Sequence, residues 1–203
     1  MTTALRHVVL GAALAVSVAA GAAAAVDASE PGDVAIGSAK APVTIVEYAS
    51  VGCSHCAEWD RSVFPSVKAK LLDTGQARLV VREMITGDAT IATGGFMVAR
   101  CAGPAKYFDV VEAIYKRQDE MFEGKAGEVL QDIARTTGGL DEAAFDACIA
   151  DQKGLDALDA RIAQHMKVDK VESTPTFFVG QSRLEGFQTF AQISQAVRAA
   201  RRH

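Results

Sequence analysis

Residues 47–56 read Glu-Tyr-Ala-Ser-Val-Gly-Cys-Ser-His-Cys, and they constrain the fold more than any other stretch. A β-rich run, residues 43–49, passes through a glycine turn into a segment with helical periodicity. Cys53 and Cys56 stand at the join. Beyond them Trp59, Val63, Val67 and Leu71 recur at i, i+4, i+8 and i+12, one face of a helix. Pro65 predicts a kink in that helix, and Gly75 a C-terminal cap. Residues 77–84 form a second β-rich run. Strand, helix and strand in this order imply a right-handed crossover between parallel strands.

A Cys-x-x-Cys at a helix start has a chemical logic. The first cysteine lies among unpaired backbone N–H groups at the positive end of the helix dipole. Both favour the thiolate, so the pKa of Cys53 is expected to fall. A low-pKa thiolate leaves easily, which makes a 53–56 disulfide reactive and its reduced form stable. His55, between the two, would stabilise the thiolate further as a cation or donor. Cys56, one turn into the helix, is expected to be more buried and to resolve mixed disulfides. Half a zinc site is the bland alternative, but four-cysteine zinc needs a second close pair, and Cys101 and Cys148 stand far apart. An inert structural bond is the other, and so tight a loop argues against a staple. The redox-active cysteine pair thus calls for no cofactor and no metal.

The compartment is read from the N-terminus. Arg6 and His7 precede an uncharged, alanine-rich run from Val8 to Val26, with a small-x-small pattern at residues 23–25. This is expected to be a signal peptide over 1–25, with a retained membrane anchor as the alternative. Export predicts an oxidising compartment where disulfides persist. Four cysteines allow three pairings, of which 53–56 with 101–148 is the simplest. The net charge of −4 and the lack of a basic block give nucleic-acid binding no support.

Further along, residues 26–33 read as a loose leader and residues 34–37 as a short edge strand. Glu47 is anomalous, because a carboxylate in a buried strand must be paired, protonated or useful. From about Thr86 to Lys170 the pattern is helical, too long for a simple connection. Phe145, Cys148 and Ile149 are expected on one helix face, and Leu155, Leu158, Ile162 and Met166 on the next, with His165 at its edge. Strand character returns at residues 176–179, followed by a turn and a return strand. Thr189 and Gln192 make a capping box for the last helix. Just before the strand stands Thr174-Pro175. On that dipeptide alone, a trans proline at a strand start is the ordinary reading.

The order strand, Cys-x-x-Cys, helix, strand, helical block, Thr-Pro-Thr-Phe-Phe and hairpin resembles the DsbA-like thiol:disulfide oxidoreductases of bacteria. The likeness covers roughly residues 34–200 and is most specific at residues 43–56 and 174–180. The Ala-Arg-Cys-Ala run at 99–102 gives it an alpha-proteobacterial cast. The resemblance implies an α/β thioredoxin fold with an inserted all-helical domain. The chain then divides into a signal peptide (1–25), a flexible leader (26–33), a thioredoxin domain (34–85 and 171–203) and a helical insertion (86–170).

Matched to the family's motif, Cys53 is the nucleophile and Cys56 the resolving cysteine. The family's cis-proline falls on Pro175, which reverses the trans reading, and Thr174 becomes the substrate-contacting residue before it. Glu47 matches the acidic residue expected to relay a proton to Cys56. The resemblance also implies an extra Cys101–Cys148 bond of structural role, with free thiols or a second redox pair as alternatives. Closing that loop is worth roughly 4 kcal/mol in the chain-entropy model. Ser54 departs from the family, whose oxidising members usually carry proline there.

The implied protein is a periplasmic oxidase that donates its disulfide to unfolded secreted proteins with reduced cysteines. A DsbB-like membrane partner would reoxidise it, and a monomer is expected. One rival is an isomerase or reductase on the same scaffold, against which the short leader argues, since it offers no room for an oligomerising stem. The other rival is a non-catalytic holdase with a structural Cys-x-x-Cys.

Overall fold

A computed structural model of the chain describes residues 30–202. The expected signal peptide and the first part of the leader lie outside these residues.

Five strands form one sheet in the order β1-β3-β2-β4-β5. They are β1 (Val34–Ile36), β2 (Thr44–Ala49), β3 (Arg78–Glu83), β4 (Thr176–Val179) and β5 (Ser182–Glu185). β2 and β3 are parallel, and the other pairs are antiparallel. β2 is therefore central, hydrogen-bonded on both sides, as its β-branched content predicts. Register sets Glu47 between Val81 of β3 and Phe177 of β4. Side chains alternate across the sheet. Ile45 and Ala49 join the main core with Leu79 and Val81, whereas Val46 and Tyr48 join a smaller cluster with Val80, Met84 and Phe178.

The crossover from β2 to β3 carries helix α1 (Ser54–Ser62), then α2 (Phe64–Val67) and a wider π turn (Lys68–Leu72). The helix breaks at Val63, because Pro65 in the first turn of α2 has no N–H to continue the ladder. Trp59, Val63, Val67 and Leu71 are all buried. Gly75 ends the segment in the left-handed region (φ 70°).

The insertion runs through α3 (Ala89–Cys101), α4 (Tyr107–Lys116), α5 (Gln118–Glu120), α6 (Ala126–Ile133), α7 (Glu142–Ile149) and α8 (Gln152–Asp169). Asp88 and Asp141 cap α3 and α7 through their side chains. Glu83, buried at the end of β3, anchors the insertion on the sheet. It accepts hydrogen bonds from Arg100 of α3, Tyr107 of α4 and Arg161 of α8. The last helix, α9 (Phe190–Ala200), begins with the Thr189–Gln192 capping box.

Three readings change. Ile149 points outward (47% exposed) rather than into the α7 face. The buried face of α8 passes through Leu158, Ile162 and His165, while Met166 is exposed. The buried face is offset to the Leu158–His165 side of that stripe, which leaves Met166 at its solvent edge. The leader is not loose throughout. Asp33 accepts hydrogen bonds from Arg82, whose side chain is fully buried, and Asp169 and Tyr48 complete that cluster. His165 faces Glu30 and Asp33 at 3.4 and 3.7 Å.

Candidate active site

β2 delivers residues 49–50 to a turn that ends at Cys53, the N-cap residue of α1. Cys53 has extended backbone (φ −100°, ψ 121°) and no side-chain cap. Its own sulfur therefore sits over the open N–H groups of the first helical turn. Cys53 and Cys56 are both thiols in this structure. Cys53 retains a sliver of surface (8%), whereas Cys56 is sealed (1%).

The pair is electrostatically split. The Cys53 pKa falls from 9.0 to about 5. A hydrogen bond from the Cys56 thiol is the largest cause, helped by one from the Thr174 side chain and by the backbone N–H groups of Cys56 and His55. Burial opposes them. Cys56 moves the other way, chiefly by burial, then by its bond to Cys53 and the nearby charges of Cys53 and Glu47. The arrangement gives an exposed-edge thiolate and a buried thiol that donates to it.

The structure brings most of the expected residues together. Thr174-Pro175 is a cis peptide, and the Thr174 carbonyl oxygen lies 3.5 Å from the Cys53 sulfur. Pro175 is held by its carbonyl, which accepts from the Gly186 backbone at 2.8 Å. Glu47 is buried beneath α1. Burial is the main reason its pKa rises from 4.5 to about 8, with the charge of Asp60 adding to it. Glu47, Asp60 and Tyr115 line a cavity of about 20 Å³, room for roughly one water molecule. Asp60, half-exposed on α1, is itself raised to about 7 by burial and by the charge of Glu112.

The imidazole of His55 is not part of this cluster. It is exposed and makes no hydrogen bond among the described residues, and His55 reaches Cys53 through its backbone N–H. Cys101 and Cys148 form a disulfide with Cα atoms 6.1 Å apart, joining the end of α3 to α7 within the insertion. Among the described residues no group of three or more His, Cys, Asp or Glu is placed to hold a metal ion. None of their helices is long and apolar enough to cross a membrane.

Other residues reach the site without a sequence signature. Gln118 of α5 donates to the Val51 carbonyl at 2.8 Å, and Tyr115 of α4 to that of Ser50 at 3.4 Å. The insertion thus grips the active-site turn directly. The loop after β3 does so too. Asp88 donates its backbone N–H to the Gly52 carbonyl at 3.0 Å. A Cβ on Gly87 would lie 2.0 Å from the Gly52 oxygen, and one on Gly52 2.2 Å from the Asp88 oxygen. Paired glycines 52 and 87 were the available signal for two backbones in contact.

A strand-to-helix dithiol facing a cis-proline loop, on a sheet with one parallel crossover, defines a thioredoxin-type redox domain. The thioredoxin family profile matches residues 29–199, and the chain belongs to that family. Its fold is the DsbA-like variant, with the helical insertion between β3 and β4. Alpha-DsbA1 of Wolbachia pipientis superposes with a TM-score of 0.77 at 24% identity, covering 85% of this chain and 92% of that one. BdbD of Bacillus subtilis superposes at 0.75 with 17% identity, covering 85% and 94%. A protein of Rickettsia typhi, provisionally named a protein-disulfide oxidoreductase, is 32% identical over 167 residues, 81% of this chain. The chain spans 60% of the length of that relative.

Proposed function

We propose that the chain is a protein dithiol–disulfide oxidase acting in the periplasm, donating a Cys53–Cys56 disulfide to reduced cysteines of secreted proteins. The observation that carries this is the split pair: a Cys53 thiolate already formed near pH 5 beside a buried Cys56 thiol. An environment that stabilises the reduced nucleophile as an anion drives the disulfide toward reduction, which is the property of an oxidant. The name of the Rickettsia relative and the DsbA-like fold support the same reading.

The geometry suggests the steps. A substrate thiolate attacks the Cys53 sulfur, the 53–56 bond breaks, and Cys56 leaves with the electron pair. Glu47, protonated at neutral pH, supplies a proton to Cys56 and regains one through the water-sized cavity and Asp60. The mixed disulfide lies against Thr174-Pro175, where the extended backbone before the proline offers hydrogen bonds to a peptide strand. A second substrate thiolate attacks the substrate sulfur, and Cys53 leaves as the stabilised thiolate. The substrate gains a disulfide, and the site holds two electrons as thiolate and thiol. A DsbB-like membrane partner would then reoxidise the pair, and a monomer suffices for all steps.

The test is equilibration of the full chain with glutathione, alongside thiolate absorbance across pH. An oxidase is expected to show a Cys53 pKa far below a free thiol and a potential well above that of thioredoxin. An ordinary thiol pKa with a thioredoxin-like potential would sink the proposal.

A further inference from the structure

Three segments distant in sequence meet at hydroxyl groups beside Cys53. Ser50, fully buried in the active-site turn, donates its hydroxyl to the Thr86 carbonyl at 2.8 Å. The same oxygen accepts the backbone N–H groups of Thr86 at 3.3 Å and Gly52 at 3.2 Å. Both backbone polar groups of Thr86 are thus consumed by Ser50. The glycine contact between residues 52 and 87 fixes the loop from the other side. What remains free on Thr86 is its hydroxyl, and that oxygen hydrogen-bonds to Thr174 Oγ1.

A hydroxyl has one proton to give. Thr174 sits with its carbonyl oxygen 3.5 Å from the Cys53 sulfur, and its side chain is among the groups that hold the Cys53 pKa down. When Cys53 is an anion, the Thr174 proton points at sulfur. The Thr174 oxygen can then only accept from Thr86, so the Thr86 proton must point at Thr174. The direction of the hydroxyl pair is set by the charge on sulfur, and each bond in such a chain polarises the next. In the disulfide form no anion imposes that order.

We infer that Thr86 is a positioning residue of the dithiol site, whose hydroxyl donates to Thr174 Oγ1 and holds the Thr174 hydroxyl as a donor to the Cys53 sulfur. It touches neither substrate nor the reacting sulfur, and it acts through Thr174. The inference rests on the oxidase reading above, and it adds a residue from the β3–α3 loop to the groups that set how oxidising the site is.

The experiment uses the full chain with Thr86→Val, Thr86→Ser, Thr174→Val and the Thr86→Val/Thr174→Val double variant. Thr86→Ala serves as a second hydroxyl deletion if the valine methyl disturbs the loop. Cys53 pKa is read from thiolate absorbance, and the redox equilibrium against glutathione. Thr86→Val is expected to raise the Cys53 pKa and shift the glutathione equilibrium roughly 2–5-fold toward the disulfide form. Thr86→Ser restores the native values, because it keeps the donor. Added to Thr174→Val, Thr86→Val changes nothing further, since its partner is gone. An unchanged pKa and equilibrium in the hydroxyl deletions, with the native protein showing a low Cys53 pKa, overturns the inference alone. So does a Thr86→Val effect that persists in full without the Thr174 hydroxyl. An ordinary Cys53 pKa in the native protein overturns it together with the oxidase reading.

Discussion

Lowering the pH on the reduced protein should remove a defined share of its stability. Cys53 titrates near 5 in the fold against 9.0 as an ordinary thiol. For an acid with a depressed folded-state pKa, the stabilising contribution is complete above the unfolded pKa and lost as pH falls through the folded one. The window therefore runs from about 9 down to about 5. At about pH 7 two of those units are in force, or about 3 kcal/mol at 1.36 kcal/mol per unit, and below about pH 5 nothing remains. Cys56 stays a thiol throughout this window, because its pKa is pushed up by burial. The assay is denaturant unfolding of the reduced protein at about pH 7 and pH 4, for the native chain and Cys53→Ser. Other carboxylates titrate in both proteins and cancel. The native chain should lose about 3 kcal/mol more than the variant between the two pH values. Parallel losses would refute the reasoning. The same anion predicts that the potential of the couple falls by about 30 mV per pH unit above the Cys53 pKa and about 60 mV below it, as one or two protons accompany two electrons.

Further expectations follow from named contacts. Glu47→Gln removes a carboxyl whose burial lifts it from 4.5 to about 8. That raised group costs stability increasingly as pH climbs through this range, so the variant should be more stable near neutral pH, by at most about 3 kcal/mol in chemical unfolding. The same variant should slow disulfide donation on the order of 10-fold in stopped-flow exchange, by removing the proton source for Cys56. Replacing Cys101 and Cys148 by serine opens the one disulfide of the described residues and should cost up to about 4 kcal/mol, with the Cys53 pKa unmoved. Arg82→Met removes the buried cation that Asp33 and Asp169 both pair with, and unfolding should register a loss of about 3–5 kcal/mol.

The backbone of this fold was legible because its signals are local. The β-rich runs in 43–49 and 77–84, the Pro65 break and the Thr189–Gln192 box each act over a few positions. Glu47 could be read as buried because a carboxylate in such a strand is rare. What was not legible depends on distant partners. The periodicity of α8 puts His165 at the edge and Met166 on the buried face, whereas the polar cluster at Glu30, Asp33 and Arg82 draws the histidine inward and Met166 is exposed. Gln118 and Tyr115 read as ordinary insertion residues, and only the fold turns them onto the carbonyls of Val51 and Ser50. Thr86 carries no motif at all, yet 88 residues of chain fold back to set Thr174 against it.

Ser54 illustrates where the control of the dithiol lies. Its side chain stands where DsbA-like oxidases usually carry proline, and that difference made the redox direction the open question of the sequence. In the fold Ser54 is exposed, and its side chain makes no hydrogen bond among the described residues. The groups that lower the Cys53 pKa are the Cys56 thiol, the Thr174 side chain and the N–H groups of residues 55 and 56. All but Thr174 belong to the helix start itself, and they would be present in any chain with this Cys-x-x-Cys. Thr174 is supplied from across the fold and is steadied by Thr86 and Ser50. Substituting Ser54 by proline should therefore move the Cys53 pKa less than deleting the Thr174 hydroxyl, because it alters no donor to sulfur. Thiolate titration of Ser54→Pro and Thr174→Val side by side decides it. A larger shift in Ser54→Pro would return the control to the dipeptide between the cysteines.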